Sequence, residues 1–169
     1  MENDIKLIDI DPERDSINAM NWINSPYGPR TLQLMGLLVP DNYTTTKNNE
    51  YKTLKQIINN EEEIAWAIEY KDTIIGIIEV HLSPYESLNA PNISIMIGNY
   101  DFRGLGIGSM STIKVLEHLK NIGYTEVFAR VLTHNTTSIN MLNKLDFKYD
   151  GTPYTSSDGQ IWQNLIKEL

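Results

Sequence analysis

The stretch IGNYDFRGLGIGS, Ile97 to Ser109, leads from a strand-like apolar run into an amphipathic helical one, and it sets glycine at alternate positions, Gly104, Gly106 and Gly108. Glycines so placed weaken a strand–helix junction unless the backbone there must approach something closely. They permit that approach, and the free N–H groups of the first helical turn then point at the guest, the geometry that binds phosphate oxygens. A pyrophosphate suits such a cradle. A P-loop needs G-x-x-x-x-G-K-[ST], and this loop has no lysine. A dinucleotide fingerprint needs G-x-G-x-x-G, but Ser109 stands where the third glycine belongs. The loop also follows three strands that read as antiparallel, and no acid ends the next strand at Arg130-Val131. What remains is R-G-x-G-x-G, Arg103 to Gly108.

Working outward, Gly104 to Asn121 reads as a helix, with Ile107, Met110, Ile113, Leu116 and Leu119 three apart and Gly123 placed to end it. TEVFARVL follows as a strand and Asn135 to Leu145 as a helix, with Tyr149 and Ile161 to Ile166 in closing strands. Upstream, PNISIMIG is a strand, and AWAIEY and TIIGIIEVHL form a hairpin around Lys71-Asp72. Ile5 to Ile10 is a short strand broken by Asp11-Pro12. Ile17, Met20 and Ile23 mark a helix that Ser25 to Pro29 stops. The run Leu32 to Val39 is ambiguous but carries a helical stripe at Leu34, Leu37 and Leu38, ended by Pro40. Tyr51, Leu54, Ile57 and Ile58 give a third amphipathic helix. This order predicts an α/β protein, a mixed sheet with a right-handed crossover.

At 169 residues the chain reads as a single domain, 1–169, with no repeat or linker. Lys and Arg total 14 against 22 Asp and Glu, a net charge of −8, which argues against nucleic acid as a partner and weakly favours a cationic substrate. The absence of cysteine excludes disulfides, zinc-thiolate sites and a thiol nucleophile, and suits a reducing compartment. The acidic opening MENDIKLIDIDPERD resembles no secretory signal, and no run nears the ~20 apolar residues of a membrane span. The expected location is the cytoplasm, without membrane attachment.

On Arg103, Gly106 and Gly108 the sequence resembles the GNAT superfamily of acyl-CoA-dependent N-acyltransferases, whose pyrophosphate loop has the form [QR]-x-x-G-x-[GA]. HNTTSINMLNKLDF, His134 to Phe147, is similar to that family's later motif N-x-x-[SA]-x-x-x-L-x-K-x-G-F at Asn135, Ser138, Leu142, Lys144 and Phe147. The loop is most similar to the RimJ/RimL-like branch of ribosomal-protein N-terminal acetyltransferases, which also holds polyamine and antibiotic acetyltransferases. The resemblance implies a mostly antiparallel mixed sheet splayed between two parallel strands, acetyl-CoA as acyl donor, and an amine acceptor, either a small molecule or a protein N-terminus. It also implies a homodimer as a possible assembly. Two positions depart from the pattern. Asp146 replaces a glycine at a site that requires a left-handed residue, which Asp tolerates better than most. Leu142 stands where many members have a tyrosine that protonates the leaving thiolate.

The resemblance further implies that backbone groups of Ile95, Met96 and Ile97 hold the pantetheine arm and polarise the thioester, and that the backbone from Arg103 through Gly104, Leu105, Gly106, Ile107 and Gly108 to Ser109 holds the diphosphate. Arg103 reaches a phosphate or serves as a surface ion-pair partner. Asn135 contacts pantetheine. Ser138 donates to the thiolate or belongs to the chemistry of a helix start. Glu79 in GIIEVHL is the first candidate base, against its reading as a solvated strand glutamate; His81 is the substitute. His134 is expected to help cap its helix, and the scattered histidines give no metal-ligand spacing. Trp22, Tyr27, Tyr43 and Tyr51 form either an acceptor wall or core. Glu61 to Glu63 attract a polycation or form a solvated loop. Two readings compete with the enzyme: a GNAT domain that binds acyl-CoA without turnover, and a nucleotide-binding module.

Overall fold

The computed structural model describes residues 4–169. Strands β1 (Ile5–Asp9), β2 (Glu63–Tyr70), β3 (Thr73–His81), β4 (Asn92–Ile97), β5 (Glu126–Leu132), β6 (Lys148–Thr155) and β7 (Ile161–Glu168) form one sheet in the order β1-β2-β3-β4-β5-β7-β6. Lys71 and Asp72, at φ 48° and 61°, make the two-residue β2–β3 turn, whose left-handed residues match the twist of a hairpin. All neighbouring strands run antiparallel except β4 and β5, which are parallel and share the single register pair Asn92↔Phe128. Beyond that pair they separate, so the splayed sheet expected from the resemblance is present.

Helices cover both faces. On one, α4 (Ile107–Asn121) and α5 (Thr136–Lys144) bury Ile107, Val115, Leu119 and Leu142, with Phe147 just beyond α5, against Ile78, Val80, Val127 and Val131. On the other, α1 (Pro12–Ile23) and α3 (Lys47–Asn59) bury Ala19, Trp22 and Leu54 against Ala67, Ile74 and Ile77. Helices α1, α3 and α5 begin where the sequence provides a side-chain cap. Asp11 accepts from Glu13 N and Arg14 N while Asp15 Oδ2 accepts from Asp11 N, a reciprocal pairing that satisfies the first turn of α1. Thr46 accepts from Asn49 N to cap α3, and Asn135 accepts from Ser138 N to cap α5.

Three expectations shift. The helix after the glycine loop starts at Ile107 rather than Gly104, because Gly104 and Gly106 lie at φ 75° and 79°. Ser25 to Pro29 does end α1, but Pro29 also opens a short helix, α2 (Gly28–Leu34), since proline is accepted in a first turn. The apolar run beyond Leu34 is not helical. Gly36, at φ 93°, breaks it, and a Cβ there would come within 2.3 Å of the Trp162 ring, leaving Leu37 and Leu38 exposed. Asp146 sits at φ 63°, the left-handed conformation expected of it.

The segment leaving α2 is pinned over the strand opening. Leu34 O accepts from Asn135 Nδ2 at 3.2 Å, and Gly36 O accepts from Gln160 Nε2 at 2.7 Å. Asn24 clamps it from behind, exchanging two hydrogen bonds with the backbone of Thr45.

Candidate active site

The opening between β4 and β5 joins two cavities. One, of about 620 Å³, runs along the glycine loop and is lined by Thr31, Ile95, Met96, Ile97, Tyr100, Arg103, Gly104, Gly106, Ile107, Gly108 and Ser109. The other, of about 590 Å³, is lined by Glu62, Glu63, Glu79, His81, Ser94, Tyr85, Arg130 and Trp162. Leu34, Met35, Ile95, Asn135, Ser138 and Met141 line both, so the cavities meet where the strands part.

In the first cavity, α4 starts on left-handed Gly106 without any side-chain cap. Met110 N is the first to find an acceptor in the turn, Gly106 O at 3.1 Å, so the N–H groups of Ile107, Gly108 and Ser109 have no partner within the helix. They carry the positive end of the helix dipole. A Cβ on Gly108 would meet Met141 Sδ at 3.3 Å and Ile97 Cγ1 at 3.8 Å, so glycine keeps the floor of this cradle open. The residues present therefore fit an anionic diphosphate. Arg103 braces the loop: Nε donates to Ile97 O at 2.8 Å and Nη2 to Thr31 Oγ1 at 2.9 Å. Burial lowers its pKa, with Tyr100 acting in the opposite sense. Tyr100 in turn stacks on Tyr27, ring centroids 3.6 Å apart.

Strand parity orients β4. Pro91 O accepts from Phe128 N at 2.9 Å, so the backbone groups of alternate residues Ile93, Ile95 and Ile97 face the opening. Those of Met96 turn to β3, where a Cβ on Gly76 would lie 2.3 Å from Met96 O. Met96 thus departs from the backbone role expected of it, and the Met96 side chain packs on the α1–α3 core.

Asn135 is buried and fully engaged: Oδ1 accepts from Ser138 N at 3.2 Å while Nδ2 holds Leu34 O. It, rather than exposed His134, caps α5, since its side chain alone reaches the first-turn N–H. Leu142 belongs to the core at 5% exposure.

The second cavity carries the titratable groups. Glu79 and His81 share one face of β3, with Oε2 and Nε2 3.8 Å apart, and His81 Nδ1 lies 3.0 Å from Glu63 Oε1. Burial raises the Glu79 pKa, protonated His81 opposes the rise, and Glu63 adds to it. Opposite, on β5, the Arg130 guanidinium lies 4.2 Å from the Trp162 ring and 4.7 Å from the Tyr85 ring, and Nη1 reaches Glu86 at 3.3 Å. Among the described residues no group of three or more His, Asp or Glu is arranged to hold a metal ion, and no helix is long and apolar enough to cross a membrane.

Of the aromatics singled out in the sequence, Trp22, Tyr27, Tyr43 and Tyr51 line neither cavity, and the Tyr27 ring touches the loop region by stacking on Tyr100. Trp22 is core because Gly98 leaves room for its ring. The aromatic rings that line the second cavity are Tyr85 and Trp162. The acidic run is not a solvated loop throughout: Glu63 is the register partner of His81. Extending the alternation of β2 back by two residues would have placed Glu63 beside Ala65 on the face of Glu79.

Residues 13–148 match the acetyltransferase (GNAT) domain family. Among solved structures, the chain is similar to the Microcin C7 self-immunity acetyltransferase MccE in complex with acetyl-CoA and AMP, at TM-score 0.80 and 14% identity over 99% of this chain and 93% of that one. It is also similar to RimL, a ribosomal L7/L12 alpha-N-protein acetyltransferase in complex with coenzyme A, at TM-score 0.74 and 15% identity over 98% of this chain and 94% of that one. A protein of Methanocaldococcus jannaschii without an assigned role is 37% identical over 93 residues, 54% of this chain and 19% of that protein. The chain thus spans about a fifth of the length of the curated relative it matches. With most of its sequence matched and its strands parted beside an uncapped glycine-rich helix start, the chain belongs to the GNAT acetyltransferase family, whose acyl donor is acetyl-CoA.

Proposed function

We propose that the chain works as a single GNAT domain moving the acetyl group of acetyl-CoA to a primary amine, on a small molecule or a protein N-terminus. The observation that carries this reading is the meeting of two unlike cavities at one gap in the sheet, one ending on open helical N–H groups and the other lined by carboxylates. Acetyl-CoA supplies an acyl group already activated as a thioester. The N–H groups from Gly106 to Ser109 hold its diphosphate, the charge their dipoles favour. Backbone groups of Ile95 and Ile97 face the thioester; the Ile95 N–H polarises its carbonyl. Fixing amine and thioester in one gap supplies proximity, so no covalent enzyme intermediate is needed.

The acceptor arrives as an ammonium with a pKa of ~10, the value for an unperturbed lysine, and must lose a proton before attack. Glu79 takes it. Burial raises the carboxyl pKa and so narrows the gap to the ammonium, which improves a general base. Ser138, at the junction of both cavities, donates to the departing thiolate. The net charge of −8 suits a cationic acceptor, and a cysteine-free sequence suits the cytoplasm.

Thiol release from acetyl-CoA, followed across polyamines, aminoglycosides, amino acids and N-terminal peptides, tests the reading. Amine-dependent release that disappears in Gly106→Asp is the expected result. A second reading, binding without turnover, draws on Leu142, a core side chain where many relatives carry the thiolate acid. Stabilisation by acetyl-CoA with no release for any amine would select it.

A further inference from the structure

After each turnover Glu79 must shed the proton it has taken, yet its side chain is only 21% exposed, against 34% for His81. The side chains beside it form a line. Glu79 is the register partner of Ser94, next to Ile95 at the gap; His81 is the partner of Asn92, farther from it; Glu63 lies across from His81 on β2, beside exposed Glu62. Of the three side chains His81 meets solvent most, at 34% exposure against 17% for Glu63, so the ring leads from the gap towards the surface. Glu63 as a carboxylate only accepts hydrogen bonds, so the Nδ1 that it meets at 3.0 Å carries the hydrogen. With its single hydrogen there, the imidazole turns the Nε2 lone pair towards Glu79.

We propose that His81 is a proton outlet for Glu79 that returns the proton to solvent, and that Glu63 is the positioning residue that holds its ring. The proposal rests on Glu79 as base. The acceptor N–H bond breaks as the proton joins the Glu79 carboxylate and leaves a neutral amine. Glu79 O–H then passes it to His81 Nε2, and the ring, its Nδ1 hydrogen held by Glu63, releases that proton to water. The ring hydrogen stays on Nδ1, and no electrons change hands. The 3.8 Å between Glu79 and His81 exceeds hydrogen-bond length, so a side-chain movement of about 1 Å or one bridging water closes it.

The charged groups facing this array are few. Glu62 stands beside Glu63, Arg130 faces it from β5 with its guanidinium engaged by Glu86, Tyr85 and Trp162, and β4 contributes only uncharged Ser94 and Asn92. An inert cross-strand pair would affect stability alone; an outlet affects kcat.

The test measures kcat and KM from pH 6 to 9 for wild type, Glu79→Gln, Glu63→Gln, His81→Gln and His81→Ala, with and without added imidazole, each variant's fold checked by circular dichroism. The expected result is a kcat loss of roughly tenfold to a hundredfold in both His81 variants, in the range of proton-transfer contributions. KM should stay within about twofold, and imidazole should restore turnover in His81→Ala. Glu63→Gln should move the acidic limb of the His81-dependent rate. Wild-type kcat in both His81 variants, or a loss that imidazole and pH leave untouched, overturns the outlet while a slow Glu79→Gln keeps the base. Wild-type kcat in Glu79→Gln removes the base itself, and the outlet with it. Should His81→Ala fail to fold, His81→Gln and its pH profile decide.

Discussion

Glu79 is a strand glutamate whose neighbours decide its role. Burial raises its pKa, so between the ordinary carboxylate value and the raised one the folded protein holds a proton that the unfolded chain has lost. Stability contributed by this group accordingly falls as pH rises through that window and is level above it. Glu79→Gln removes the cost, and urea unfolding at several pH values should show the variant gaining on wild type across the window and holding the gain beyond it. A constant difference would place Glu79 in an unperturbed setting. The same substitution should lower kcat/KM by about 10²- to 10⁴-fold, the usual contribution of a positioned base. At this scale Asn135, Ser138 and the loop glycines could be singled out from short local patterns, and Glu79 from its strand and the family resemblance; all of them line the two cavities. The sequence named Glu63 only within the acidic run and concealed Tyr85, Arg130 and Trp162, which reach one cavity only through strand register and the order of the sheet.

Helix and strand starts followed local chemistry. The Lys71-Asp72 turn, the caps at Asp11, Thr46 and Asn135, and the left-handed stop at Asp146 could all be understood from a few adjacent residues. The run from Leu32 to Val39 could not, because its course depends on Trp162 packed against Gly36, far along the chain. Asp146→Gly offers a direct measure of the strain at the end of α5. Relieving an L-residue at φ 63° should stabilise the protein by roughly 1 kcal/mol, seen as a higher melting temperature. An unchanged or lower value would show that Asp adopts this conformation without penalty. Gly108→Val tests the start of α4: two added methyl groups enter a space where even Cβ would meet Met141 Sδ at 3.3 Å. Acetyl-CoA affinity should drop at least tenfold by calorimetry, about 1.4 kcal/mol, with circular dichroism unchanged. Retained affinity would mean that the cradle is not used.

Across the whole molecule, one parallel pair in an otherwise antiparallel sheet creates the gap in which both cavities meet. That arrangement followed from the order of elements and the family resemblance together; the acceptor did not, since it depends on which side chains distant segments bring to the second cavity. A ligand confined to the folded state raises stability by mass action, so acetyl-CoA at a hundredfold excess over its Kd should add about 2.7 kcal/mol. In a thermal melt this corresponds to a shift of roughly 5 to 10 °C, absent with NAD or ATP. A shift with ATP alone would favour the nucleotide-binding module.

Crystallography of the chain with acetyl-CoA probes the grip of α4 most directly. The expected density places the diphosphate within hydrogen-bond distance of the N–H groups from Gly106 to Ser109, with the thioester at the gap beside Ile95. Diphosphate bound anywhere else, with those N–H groups left to solvent, would contradict it.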